Sequence, residues 1–317
     1  MISVIEHTRS HVPQWMRATK LMRAARLAGL KAEVRPSPLG VGGIIGPWNF
    51  PLQRVVVLPA SAAFAAGNRV MIKMSEITPR TSERMKSRSP TYFDPAELGI
   101  VTGGSEVSAS FSRLPFDHLF FTGSPSVGSL VQQAATQNLV PVTLELGGRI
   151  RWWCRNRATR KIAPTIVRDV VEDMRIAHEE VFGPVLVVRP YSELTDVIDH
   201  INQPPAPLVA YWYGPDNDDF RRFVAHTRSG SVARNDFGAQ TIPSAAPLGG
   251  VRRSGMGAYH GKAGFDAFSH YRTVVGTDLP FSITGRAAPP FRGPTRVGTS
   301  VTLRMARSRT RRRLKSR

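Results

Sequence analysis

The chain has 317 residues, 41% of them hydrophobic, with a formal charge of +20 and a single cysteine, Cys154. That length and apolar content suit about two packed domains and exclude a wholly disordered chain. One cysteine excludes an internal disulfide, and the eight histidines show neither a helical pairing with Glu nor a Cys partner cluster, so no metal site is expected.

The charge is uneven. Residues 304–317 hold eight basic and no acidic residues, residues 149–161 hold six and none, and removing those 14 leaves +6. A lone basic arm of this kind is usually solvated, so a nucleic-acid partner is not expected. The longest apolar run, 55–66, is broken by Pro59 and Ser61 and falls short of the roughly 18 residues a membrane span needs. The segment Met1-Ile2-Ser3-Val4-Ile5-Glu6-His7 lacks the basic and apolar regions of a secretion signal, which points to the cytoplasm and no membrane partner.

Taken in chain order, residues 13–33 read as an amphipathic helix through Trp15, Met16, Leu21, Met22, Ala25, Leu27 and Leu30. The pattern then alternates. A strand is predicted at 41–45, a helix at 51–66 ended by Gly67, a strand at 69–74, and a helix capped by Thr78 with Pro79 in its first position. Next come a strand at 99–102, a short helix at 106–113, a strand at 117–122, a helix at 126–136 and a strand at 140–146. Strands separated by helices imply a doubly wound parallel sheet, because a parallel crossover needs a helix to return the chain. The second half resumes with strands at 163–167, 185–188, 208–213 and 231–235 and helices at 193–202 and 216–227, again α/β. Periodicity vanishes from Ala287, where Pro, Gly and Arg accumulate.

The loop Gly46-Pro47-Trp48-Asn49-Phe50-Pro51 follows a buried-type strand and opens a helix, the place where α/β folds bind ligands. Gly123 to Gly128, with Ser124, opens another helix whose N–H groups could face a phosphate. That Gly-x4-Gly spacing alone more often marks an ordinary strand-to-helix turn. Likewise, a lone Asn49 could be a turn residue, Glu145 a solvated strand-edge carboxylate, and Glu180 with Phe182 a turn before a strand.

Together with Ile72-Lys73-Met74-Ser75-Glu76, Phe121-Thr122-Gly123-Ser124, Leu144-Glu145-Leu146-Gly147-Gly148 and Glu179-Glu180-Val181-Phe182-Gly183-Pro184, the loop closely resembles the aldehyde dehydrogenase superfamily. Pro247-Leu248-Gly249-Gly250-Val251 and Ser254-Gly255-Met256-Gly257-Ala258-Tyr259-His260-Gly261 look most like the branch that oxidises coniferyl and other cinnamyl-type aldehydes. The likeness spans about 36–148 and 162–275.

The resemblance implies an NAD-binding α/β coenzyme domain at 36–148 and a truncated α/β catalytic domain at 162–278. The rest divides into an N-terminal helical segment at 1–35, a basic junction at 149–161 and a basic irregular tail at 279–317. By resemblance Asn49 is the oxyanion donor and Glu145 the base that activates water. Lys73 and Glu76 would hold the adenosine ribose, and a Glu there disfavours a 2′-phosphate, so NAD is expected over NADP. Trp48, Gly123, Ser124, Gly128, Glu180 and Phe182 complete the expected cofactor contacts. The substrate would be a small aldehyde, and members of the family usually pair as homo-oligomers.

One piece departs from the family. Its nucleophilic Cys follows the position of Glu145 by several tens of residues, and a catalytic lobe separates that Glu from the Glu-Val-Phe-Gly-Pro motif. Here 34 residues separate Glu145 from Glu179, whereas a domain needs roughly 100. Cys154, nine residues after Glu145 among arginines that would favour its thiolate, is the only thiol and stands at the wrong spacing. Arg252-Arg253 replaces the small residues that follow Gly-Gly-Val in the family, and the chain begins without the family's N-terminal helices. Completion of the catalytic cycle is therefore not expected, and an inactive dinucleotide-binding remnant is the alternative.

Overall fold

A computed structural model describes residues 2–21, 29–147, 163–178, 180–203 and 205–278. Cys154 with the junction 149–161, Gly148, Glu179 and the tail 279–317 lie outside the described residues. The chain forms two compact units, one of residues 1–17 and 35–272 and the other of 18–34 and 273–317.

The chain opens with α1 (Ile2–Trp15), then β1 (Thr19–Leu21) and β2 (Leu30–Pro38). This corrects the helix expected over 13–33. Val4, Thr8, Val12 and Trp15, spaced by one turn each, form the inward stripe of α1. The polar Thr8 in mid-stripe hid that periodicity. Thr19 to Leu21 instead pair antiparallel with Val34 to Ala32, a long-range ladder that overrides the local apolar spacing.

From β3 (Val41–Ile45) the expected alternation is realised. A π-helical stretch at Gln53–Ala60 runs into α2 (Ser61–Ala65), followed by β4 (Arg69–Lys73), α3 (Pro79–Arg88), β5 (Leu98–Val101) and α4 (Ser105–Phe111). Then come β6 (His118–Gly123), α5 (Pro125–Thr136) and β7 (Val142–Leu146). Pro79 does sit at the start of α3, but Thr78 makes no side-chain cap to the helix; its hydroxyl turns back to the Ser75 carbonyl instead.

The second half supplies β8 (Thr165–Val167) beside β9 (Val185–Val187), then α6 (Leu194–Asn202), β10 (Val209–Trp212), α7 (Asp218–His226) and β11 (Ser231–Arg234). The two strand pairs are each parallel and two-stranded. Last come β12 (Gly255–Met256), α8 (Gly261–Ala267) and β13 (Ser269–Thr277), the last joining β1 and β2 in a three-stranded sheet.

The central sheet runs β12-β7-β6-β3-β4-β5, with β3 to β7 parallel and β12 antiparallel on the β7 edge. The antiparallel edge strand was not legible in the sequence, because two residues carry no period. Alternate residues of the parallel strands enter two cores, as the period of two requires. Ile44, Ile72 and Phe120 pack with Trp15, α2 and Phe265, while Ile45, Leu119, Phe121 and Leu144 pack with Phe111, Val131 and Ala135. Each large side chain buried in this way contributes roughly 1.5–3 kcal/mol relative to exposure. Gly43 makes room in the second core, since a Cβ there would lie 2.6 Å from the Phe116 ring.

Candidate active site

In this strand order the chain winds outward from β3 in both directions: β4 and β5 lie on one side, β6 and β7 on the other. The crevice between the C-terminal ends of β3 and β6 is therefore the topological switch point, where open α/β sheets place ligands. Ile45 pairs with both Lys73 and Phe121, so the loops after β3, β4 and β6 leave the sheet side by side. A hydrogen bond from Gly46 N to the Lys73 carbonyl (3.1 Å) ties the first loop to β4. Trp48, Asn49 and Phe50 stand exposed in it.

At the end of β4, Lys73 is 1% exposed, and its Nζ donates to the Met74 carbonyl at 2.7 Å and lies 3.6 Å from Glu76 Oε2. Burial pulls the ammonium pKa below its usual value, and the half-exposed Glu76 carboxylate opposes that shift. The pair leaves one anchored cation and one accessible carboxylate on the same turn.

At the end of β6, Ser124 caps α5 by accepting from Val127 N (3.3 Å). The Gly128 N–H donates to the Ser124 carbonyl (2.8 Å), and a Cβ on Gly128 would fall 2.5 Å from Leu146 Cδ2. Gly128 thus lets α5 approach β7, and its N–H is already given to the Ser124 carbonyl. Sequence reasoning passed over Thr122, whose Oγ1 is buried and has no hydrogen-bond partner among the described residues. An unpaired buried hydroxyl is costly, so this atom fits a site completed by a ligand. Only its place beside the Gly-Ser loop could have drawn attention to it.

Glu145 is 2% exposed on β7 and is the register partner of Thr122 on one side and Gly255 on the other. Gly255 has φ +153°, and a Cβ there would lie 2.5 Å from the Leu144 carbonyl oxygen. The Ser-Gly-Met-Gly stretch is therefore glycine-bearing so that β12 can close against the strand holding Glu145.

Two contacts join the Glu-Val-Phe-Gly-Pro segment to this region. The Trp48 and Phe182 rings lie 5.1 Å apart, tilted by 56°. A Cβ on Gly147 would lie 2.5 Å from Glu180 Oε2, so the carboxylate rests against that glycine. The structure brings together Trp48 with Phe182, Lys73 with Glu76, and Gly147 with Glu180, all at the strand ends; Asn49 stays exposed in its loop and Glu145 buried on its strand. A cleft of about 420 Å³ between α5 and the β7–β12 edge, lined in part by Ser126, Leu144, Leu146, Arg252, Arg253 and Met256, holds none of the expected site residues, although Ser126 Oγ lies 3.1 Å from Ser124 Oγ. Among the described residues no cluster of three metal-ligating side chains exists, and no helix is long and apolar enough to cross a membrane.

A doubly wound sheet with charged and amide side chains at its switch point defines the class of open-sheet α/β proteins that bind ligands at the carboxyl ends of their strands. The family model described as "Aldehyde dehydrogenase family" matches residues 1–153 and 153–274, further toward the N-terminus than the motifs alone reach. The chain belongs to the aldehyde dehydrogenase family. It is 32% identical to a probable coniferyl aldehyde dehydrogenase of Caulobacter vibrioides over 374 residues, covering 86% of this chain and 77% of that protein. It is also 32% identical to the coniferyl aldehyde dehydrogenase of Pseudomonas sp. strain HR199, with the same coverage. Among solved structures, the substrate-bound AldH of Staphylococcus aureus superposes with a TM-score of 0.85 at 27% identity, over 95% of this chain and 85% of that one.

The two matched segments meet at residue 153, inside the basic junction. The 374-residue alignment takes in 86% of 317 residues, about 273, so about 100 aligned positions of the relative have no counterpart here.

Proposed function

We propose that this chain is built for NAD-dependent oxidation of an aromatic aldehyde of the coniferyl or cinnamyl type to its acid. One observation carries the reading: the loop with Asn49, the Lys73–Glu76 pair, the Gly123-Ser124 turn and Glu145 all fall at C-terminal strand ends around one switch point. Lys73 and Glu76 would hold the adenosine ribose by donating and accepting, and the Glu76 carboxylate would repel a 2′-phosphate, which favours NAD over NADP. Ser124 would add a hydroxyl at the diphosphate, with Gly123 leading into it. Trp48, Phe182 and Glu180 would bound the nicotinamide end, and the unpaired Thr122 hydroxyl fits a polar ligand atom there. When bound, the dinucleotide supplies a hydride acceptor.

The chain's own residues divide the rest of the work. Asn49 donates its amide to the carbonyl oxygen as negative charge builds, a role that an amide fills without losing a proton. Glu145 takes a proton from the water that releases the acid. The family's remaining requirement is a thiolate nucleophile, and Cys154 is the only thiol.

A second reading, a remnant that binds dinucleotide without turnover, is favoured by the two-part match that meets at residue 153. It is also favoured by Ile166 and Leu186, register partners on β8 and β9 that are 68% and 61% exposed. Parallel strands are normally covered on both faces, so this pair lacks the neighbours a complete lobe would supply.

The deciding experiment follows NADH formation from NAD and coniferyl aldehyde with the purified chain and its Cys154→Ser variant, alongside calorimetric titration with NADH. Turnover lost on substitution establishes the oxidation and makes Cys154 its nucleophile. NADH binding without turnover establishes the remnant, and neither binding nor turnover defeats both readings.

A further inference from the structure

The cleft beside α5 combines features that the candidate active site does not use. Ser126, Ser129 and Gln132 line it from α5, Leu144 and Leu146 from β7, and Arg252, Arg253 and Met256 from the turn that leads through β12. Alternation along β7 sends Leu144 and Leu146 into the core beneath α5 and Glu145 to the opposite face of the sheet, so the cleft and the expected base lie on different sides. The arginine turn is fixed. Val251 N donates to Ser254 Oγ (2.8 Å), Ser254 N donates to the Val251 carbonyl (3.2 Å), and a Cβ on Gly250 would overlap the Ser254 carbonyl oxygen. The same turn holds Arg252 at φ +57°, a costly backbone for an L-residue and of the kind that clusters at ligand sites. Among the described residues neither guanidinium has an ion pair or a hydrogen bond. The remaining residues of the chain include one acid, Glu179, so the chain offers almost nothing to neutralise the pair.

We propose that this cleft binds an aromatic carboxylate. Two guanidiniums on a fixed turn supply the paired donors that match a carboxylate, and the Ser129 hydroxyl and Gln132 amide can donate beside them. A bare inorganic anion would leave the apolar part of the lining, Leu144, Leu146 and Met256, without use. Those side chains suit a flat hydrocarbon body, on which a guanidinium can also stack. At about 420 Å³ the cleft falls within the range of about 300–1,000 Å³ that small-molecule sites occupy. The ligand is of the class that the proposed oxidation releases, and that link alone rests on the reading above; the site itself stands on its lining. Ser126 Oγ, 3.1 Å from Ser124 Oγ, marks where the cleft adjoins the Gly123-Ser124 turn.

Calorimetric titration of the full chain with cinnamate tests the site, with cinnamyl alcohol and inorganic phosphate as parallel ligands and Arg253→Gln and Gln132→Glu as variants. Arg253→Gln removes one charge from an exposed turn, and Gln132→Glu sets a carboxylate into the cleft from the half-buried face of α5. The two substitutions lie on different elements, and urea titration checks that each variant folds as wild type does. The expected result is one cinnamate per chain, bound about tenfold or more tighter than the alcohol or phosphate. Arg253→Gln should weaken it about tenfold, the loss of about one charged hydrogen bond, and Gln132→Glu at least as much. Equal binding of cinnamyl alcohol removes any part for the guanidiniums and overturns the proposal. Phosphate bound as tightly as cinnamate overturns it in favour of a bare anion site. Cinnamate bound equally by all three proteins lies elsewhere in the chain, which also overturns it, as does the absence of cinnamate binding. The titration needs neither NAD nor turnover, so the site can fail while the oxidation stands, and stand while the oxidation fails.

Discussion

Lys73 and Glu76 sit on one turn at the end of β4 with opposite exposures, 1% and 48% of their side chains, at a separation of 3.6 Å. The lysine is held by the Met74 carbonyl and the glutamate faces outward, so the turn presents an acceptor that a ribose hydroxyl can use and a phosphate cannot. Glu76→Gln keeps the shape and removes the charge. On the proposed reading it should weaken NAD about tenfold, the cost of about one charged hydrogen bond, and narrow the proposed preference over NADP by a similar factor. Parallel calorimetric titrations with both dinucleotides check this; equal losses for NAD and NADP would refute the discriminating role of Glu76.

His118 gives the fold an acid limit. It is 5% exposed, lies 3.0 Å from Thr143 Oγ1 through Nε2 and meets the Phe268 ring edge-on at 4.8 Å, and burial pulls its pKa from 6.5 to about 4. Because the folded value is depressed, the unfolded chain binds more protons between those limits. The contribution is fully present above pH 6.5 and is lost as pH falls toward 4, by about 3 kcal/mol at 1.36 kcal/mol per unit. Urea titrations across that range should show the loss in wild type and a flatter profile in His118→Gln.

The Gly-Gly-Val to Ser-Gly-Met-Gly loop contains one glycine that is required and one arginine that is strained. Gly255→Ala would drive a Cβ to 2.5 Å from the Leu144 carbonyl oxygen at φ +153°. It should cost at least about 2 kcal/mol and speed hydrogen exchange in β7 beside Glu145. Chemical denaturation with peptide-level exchange reads both.

Arg252 sits at φ +57°, a region that costs an L-residue about 1 kcal/mol. Arg252→Gly should raise stability by up to that amount and leave dinucleotide affinity unchanged, since the cleft that Arg252 lines contains no expected cofactor contact. A drop in stability, or a changed NADH titration, would contradict this account.

Alternation of apolar strands with helices, and the Pro and Gly punctuation at Gly67 and Pro79, placed β3 to β7 and their helices within a few residues, because those signals are local. The motif residues at strand ends were legible for the same reason: each lies where a run of period two stops. Elements without local period were not. The N-terminal helix was displaced because Thr8 interrupts its stripe, and β12 has two residues and exists only by pairing with β7. The packing of Gly128 against Leu146 and the burial of Thr122 depend on which strands become neighbours. Strand order is decided by pairings between residues tens of positions apart. The sequence by itself therefore determined which residues are candidates for the chemistry, and only the tertiary structure decided which of them meet.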